Sequence, residues 1–453
     1  MRTTRRQLLA LTSAFALMPA LCGARAQSAG MQLILLSDLH SAYERMGQLL
    51  AAIEMHVAHS GLPVAVLING DVFEKGNVVA SRSGGEIDWA FLTALAQVAP
   101  TIVNIGNHES DFDADLRHFT ARANEIGVTV ISNIIDARDG SAYAPAAAVL
   151  DLGGMQVQIA GIATDAINTY PADTRPQITV PAPAAWAAEN LPQVFTDGAA
   201  HVVLSHAGVV PDREILAALP DGALLVGGHD HLVLEHAAGA TRYIHTGAWS
   251  ALMTIATITA TGTAPVIERI EIDRAAPLSA ALADLIPAVL AAHLTPEETA
   301  RKPASVATLE APMSLGETGR FAARAMAETV GADVGFIGHT SFGTGLPAGD
   351  VTVFDYNAGL RFDGKLMRAE VDAATLAAIL AISNQDGDMP LESRTGDFLY
   401  ADPTALADKQ SYVIVTNDWG AMNAAAYFQR SDLTFTEVPD LRVKAIVAAA
   451  LQR

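Results

Sequence analysis

The chain holds a single cysteine, Cys22, among 453 residues. One thiol gives no internal disulfide and no site built from cysteine thiolates. Lysine and arginine are scarce, 28 against 49 acidic residues, for a formal net charge of -21. That balance excludes a nucleic-acid partner, because phosphate backbones are gripped by Lys and Arg. The acid excess reads as solubility. Aromatic residues are few, at 6%, while 51% of the chain is hydrophobic, which suits an alanine-rich globular α/β protein. Internal repeats and low-complexity tracts are missing. The apolar stretch from Leu8 to Cys22 is too short to span a bilayer comfortably, so no stable membrane anchor is expected. What the chain does have is length, too much for one ordinary core, and two domains are expected.

Residues 1–26 read as a targeting segment. Arg5-Arg6 followed by Gln7-Leu8-Leu9 resembles a twin-arginine export signal, and Ala24-Arg25-Ala26 is a small-residue cleavage site. The mature chain is expected to begin at Gln27 and to work in the periplasm, with the twin-arginine translocase as a transient partner. Leu21 is too large for a lipoprotein site at Cys22. The only cysteine therefore leaves with the signal.

Downstream, short apolar runs end repeatedly in metal-ligand residues. Gln32–Leu36 leads to Asp38-Leu39-His40, and Val64–Ile68 to Asn69-Gly70-Asp71. Thr101–Ile105 leads to Gly106-Asn107-His108-Glu109. His201–Leu204 leads to Ser205-His206, and Leu224–Val226 to Gly227-Gly228-His229-Asp230-His231. Each run reads as a buried strand. Ligands at strand ends collect at one edge of an α/β sheet, where chemistry sits. In Asp-x-His and His-x-His, alternate residues share a face. Glycine lets the backbone come close at Asp71, which is placed to bridge two cations. Together the five segments supply ligands for two metal ions. Helices are expected over 43–59, 86–98 and 114–126, with hairpins or edge strands between Val128 and Ala163. Glu74 reads as a loop residue, and His245 as a core or supporting residue.

The order of these motifs resembles the calcineurin-like metallophosphoesterases. In the second half, Gly331-Ala332-Asp333, Leu346–Asp350 and Tyr412–Asp418 resemble the carboxyl-terminal domain of the bacterial 5'-nucleotidase family. The resemblance implies an α/β fold in which a two-layered sheet sandwich is joined by a helical linker to a smaller α/β domain. The expected extents are 31–274 for the phosphoesterase domain, 275–302 for the linker and 303–453 for a substrate-binding domain. It implies two divalent ions, zinc, manganese or iron, about 3.5–4 Å apart, which neutralise the ester oxygens and make a bridging water nucleophilic. Asp38, His40 and His231 would complete one site, Asn107, His206 and His229 the other, and Asp71 would be shared. His108 would face the leaving group as a catalytic residue, oriented by Asp111, with Asp113 a second candidate for that role. Phe398 and Trp419 fall where the family clamps a nucleobase. The family's loop arginine is replaced by His339-Thr340-Ser341-Phe342, which leaves Arg361 as a possible substitute.

The implied function is hydrolysis of a small-molecule phosphoester, of the 5'-nucleotidase type. The rivals are an enzyme of the same scaffold acting on another ester, such as a 2',3'-cyclic nucleotide phosphodiesterase or the sulfur-ester hydrolase of thiosulfate oxidation, and a degenerate binding protein.

Overall fold

The computed structural model describes residues 30–403, 406 and 408–453; the export segment read at 1–26 lies outside them. Two six-stranded sheets occupy the first half of the chain. In one, Met31–Leu36, Val64–Asn69, Thr101–Asn104 and Thr129–Ile131 run parallel, and Leu252–Ile258 and Val266–Glu271 close the other edge antiparallel. In the second, Thr241–Thr246, Leu224–Gly227, Ala200–His206 and Met155–Ala163 are parallel neighbours. The strand Val233–Ala238 and the strand Ala147–Leu152 flank them antiparallel.

The period-two alternation of side chains explains the layers. Leu33 and Leu35 face the second sheet, where they meet Ile159, Val202, Leu204 and Val226. Ile34 and Leu36 face outward, against the helices Met46–His59 and Glu86–Val98. Parallel strands covered on both faces read as continuous apolar runs, which is why they were visible in the sequence. Between Val128 and Ala163 the expected hairpin is Ala147–Leu152 with Met155–Ala163, and Thr129–Ile131 and Ala147–Leu152 are edge strands. Met155–Ala163 is interior, bonded on both sides, because its second half is fully apolar and fits between two strands.

Three short helices follow, Ala280–Ala283, Leu285–His293 and Pro296–Arg301, the last opened by a capping box between Thr295 and Glu298. The remaining chain builds a five-stranded sheet, in the order Leu399–Ala401, Val334–Gly338, Ser411–Asn417, Lys365–Asp372, Thr436–Arg442. The helices Leu315–Val330 and Val443–Leu451 pack together beside it. No helix among the described residues is long and apolar enough to cross a membrane.

One buried carboxyl makes this fold sensitive to pH. Asp88 is fully buried in the helix Glu86–Val98 and accepts the Tyr43 hydroxyl at 2.5 Å. Burial lifts its pKa from 3.8 to about 7. A raised folded-state pKa means that the native state holds the proton more tightly than the unfolded chain. The associated stability is complete below about pH 4 and is lost as pH rises towards 7. Asp88→Asn, which cannot ionise, should therefore gain on the wild type between pH 5 and pH 8, by on the order of a few kcal/mol. Melting curves of both proteins across that range check this; a constant difference in melting temperature would refute it.

Candidate metal centre

The parallel strands of both sheets deliver their carboxyl ends to one edge, and the seven expected ligands gather there. Three groups have ligand atoms close enough to share an ion: Asp38, His40 and His231; Asp71, His206 and His229; and His40, Glu74 and His108. His40 Nε2 lies 2.8 Å from His231 Nε2 and 3.8 Å from Asp38 Oδ1. His206 Nε2 lies 3.1 Å from Asp71 Oδ2, and Asn107 Oδ1 is 2.8 Å from His229 Nδ1. Asp71 joins the groups through one oxygen only. Its Oδ1 accepts the backbone N–H groups of Asn107 and His108 at 2.8 and 2.9 Å. Its Oδ2 stands 3.1 Å from His206 and 3.8 Å from His40.

This crowding needs two glycines. A Cβ on Gly106 would stand 2.3 Å from Asp71 Oδ1, and one on Gly70 would stand 2.7 Å from His206 Nδ1. The ligand backbones are strained as well. Asp38, His40, Asp71, His229 and His231 all have φ between 49° and 76°, a region that L-residues avoid at about 1–2 kcal/mol each. Such strain clusters at functional sites.

The donor set fits divalent cations. It mixes imidazole and carboxylate without thiolate, and His206 Nε2 is buried without a hydrogen-bond partner, which native structures rarely tolerate unless something else binds there. The electrostatics agree. Burial works against the charge on Asp71, but His206 and His108 outweigh it and hold its carboxyl well below the usual range. Burial also opposes a proton on His206, yet Asp71 and Asp38 carry its pKa up to about 10. His229, disfavoured by burial and then by the charge on His206, is pushed down to about 3. The carboxylates thus demand positive charge, and one imidazolium forbids the next. A metal ion meets the same demand at the same nitrogens.

His108 belongs to neither of the two groups that carry the expected ligands, and its own group shares only His40 with them. Its Nδ1 is 2.9 Å from Asp111 Oδ2, and its ring lies 5.0 Å from that of His40. Asp111 also accepts the Lys75 amide at 2.6 Å, which fixes its position. Asp113, the second candidate, instead meets His118 at 2.7 Å on the surface.

Three supporting residues escaped the sequence reading. Glu74 is a buried residue, not a plain loop residue: its Oε2 lies 3.3 Å from His40 Nδ1 and its Oε1 accepts the Gly76 amide. A carboxylate behind a ligand histidine orients the ring, here with Nε2 towards Asp38 and His231. Glu109 accepts the amides of Val72 and Gly106 at 2.9 and 2.7 Å, which braces two ligand loops against each other. His339, in the loop that replaces the family's arginine, donates from Nε2 to the carbonyl of Asp230 at 2.7 Å, between His229 and His231. Only the departure from the family motif marked that position. His245 is a core residue, bonded to Tyr243 and close to Asp212.

A cavity of about 420 Å³ opens over the ligands, between the two domains. Trp419, Phe362 and Tyr427 line its far wall. Two expected substrate residues are elsewhere. Phe398 is 2% exposed and stacks on His339 at 4.0 Å; its flat face is already covered. Arg361 is paired with Glu44 and lies 4.3 Å over the Trp249 ring, so its guanidinium is committed to holding the domains together. Trp419, 44% exposed, does face the cavity.

Comparison with known proteins agrees with this geometry. Residues 31–233 match the calcineurin-like phosphoesterase family model. Among solved structures, a 5'-nucleotidase precursor from Thermus thermophilus superposes with a TM-score of 0.61 at 18% identity, covering 93% of this chain and 96% of that one. The sulfate thiohydrolase SoxB of the same organism gives 0.62 at 14% identity, over 93% and 94%. A 5'-nucleotidase from Candida albicans gives 0.59 at 11% identity, over 93% and 98%. At these identities the likeness is one of fold. No curated protein sequence matches the chain. Residues 31–233 thus form a domain of the calcineurin-like phosphoesterase family, and nearly the whole chain shares the fold of these solved structures.

Proposed function

We propose that this protein is an exported phosphohydrolase that uses two divalent cations and accepts nucleoside monophosphates. The observation that carries the proposal is the meeting of two ligand groups at Asp71, beneath a cavity walled by Trp419. Asp38, His40 and His231 would hold one ion, Asn107, His206 and His229 the other, with Asp71 shared. Zinc, manganese and iron all suit these donors. When bound, the ions neutralise ester oxygens and acidify water. The chain's own residues supply the rest. His108, lining the cavity and backed by Asp111, gives a proton to the departing oxygen. Trp419 offers a flat face to a base, worth ~1–3 kcal/mol. The helices between the domains allow the second domain to close over substrate and exclude water.

A second reading, hydrolysis of a different ester, draws on the same cavity. Among the described residues lining it there is no lysine or arginine, while Asp363, Asp397 and Asp418 are present. With Phe398 buried against His339, only Trp419 remains of the expected aromatic pair. A substrate with a second anionic group fits such a wall poorly.

Steady-state kinetics on metal-loaded protein separate the readings. AMP should be hydrolysed, ADP and ATP more slowly. Trp419→Ala should raise KM for AMP by about tenfold, the loss expected of one stacking contact, and leave 4-nitrophenyl phosphate unaffected. A wild type that ignores nucleotides, with Trp419→Ala without effect, would leave the other-ester reading standing. Export has its own test. Changing Arg5 and Arg6 together to lysine should leave the precursor unprocessed inside the cell; normal periplasmic amounts of a chain starting at Gln27 would sink the twin-arginine route.

A further inference from the structure

A second cavity, of about 450 Å³, also reaches His40 and Glu74, but runs between the first domain, the connecting helices and the second domain. Leu290, Leu294, Val353 and Phe354 give it apolar walls. Its charges are unevenly matched. The lining carboxylates are all engaged: Glu44 with Arg361, Glu298 with Arg82, and Glu74 with His40 and the Gly76 amide. Arg361 and Arg301 are engaged too, the latter with Glu297. Lys302 and Lys444 are not. Both are half-buried, and neither is ion-paired with a carboxylate among the described residues. Among the described residues, Lys302 Nζ has only the Phe354 ring, at 5.3 Å, and Lys444 Nζ donates to Asn357 Oδ1 at 2.7 Å. Burial pulls down the pKa of both, that of Lys444 to about 8. Buried charge is ordinarily paired. Asp363 acts on Lys444 only from beyond ion-pair distance, and Lys302 has no carboxylate beside it among the described residues, so the two ammonium groups leave room for an anion in the cavity.

We propose that this cavity is an anion-binding site, distinct from the metal centre, that takes a small phosphate- or carboxylate-bearing molecule. Its charged head lies on Lys302 and Lys444 and its apolar part against Leu290, Leu294 and Phe354. Lys302 belongs to the connecting segment and Lys444 to the helix Val443–Leu451. An occupant therefore ties the connecting segment to the second domain, with the His40 loop as the remaining wall.

Calorimetric titration of the metal-loaded full chain with phenylphosphonate, which cannot be hydrolysed, tests this. Two binding events are expected. Asp71→Asn should remove the one at the metal centre and keep the other. Lys302→Met and Lys444→Met should each weaken the retained event by at least about tenfold, as loss of a charge-assisted contact does. Lys302→Arg and Lys444→Arg, which keep the charge, should retain it and so separate loss of charge from loss of fold. A single event abolished by Asp71→Asn would overturn the proposal, as would a second event indifferent to both methionine variants.

Discussion

Asp71→Ala should leave the protein almost without activity and short of metal. The reason is the division of labour between its two oxygens. Oδ1 accepts two backbone N–H groups from the Asn107-His108 turn, and Oδ2 faces both ligand groups. Removing the carboxylate takes away the shared ligand and unties the loop that carries Asn107. Losing a mere outer-shell partner of a metal ligand costs about 10–100-fold in affinity or activity, so a shared ligand should cost more than 100-fold. Elemental analysis beside kinetics on 4-nitrophenyl phosphate would check it. A variant that keeps a full complement of metal and a tenth of its turnover would show that the ions do not meet at Asp71.

His108→Ala should behave differently. Its ring lies outside both ligand groups as assigned above, though its Nδ1 is held by Asp111. Metal content should be unchanged while kcat falls about 10²–10⁴-fold, the range of a lost general acid. Asp111→Asn should fall between this variant and the wild type, because it removes the orienting carboxylate and leaves the imidazole. The loss should also shrink for esters with good leaving groups, which need no proton. If His108→Ala loses an equivalent of metal, the histidine is a ligand. That outcome has a structural basis, since His40, Glu74 and His108 also stand close enough to share an ion.

The metal-ligand pattern was legible because it depends on local facts. A buried parallel strand is an apolar run, and a ligand at its end needs only a glycine to approach its neighbours. Partner choice was not legible. Arg361 reads as a free cation until Glu44, 317 residues away, is seen beside it. Phe398 reads as a clamp until His339 covers it. Glu74 reads as a loop residue, and Glu109 shows no role of its own, because their burial is decided by loops arriving together. The interior place of Met155–Ala163 was hidden for a related reason: its neighbours on either side are selected by topology, not by its own residues.

The left-handed backbone at Asp38, His40, Asp71, His229 and His231 has an evolutionary consequence. Each of these residues is a poor choice for folding, and glycine would relieve the strain at every one. A lineage released from its chemistry would drift towards glycine or asparagine at these positions and melt higher for it. In this chain none of the five is glycine or asparagine. A degenerate binding protein would have no reason to keep all five costly conformations, whereas a working hydrolase cannot give up one.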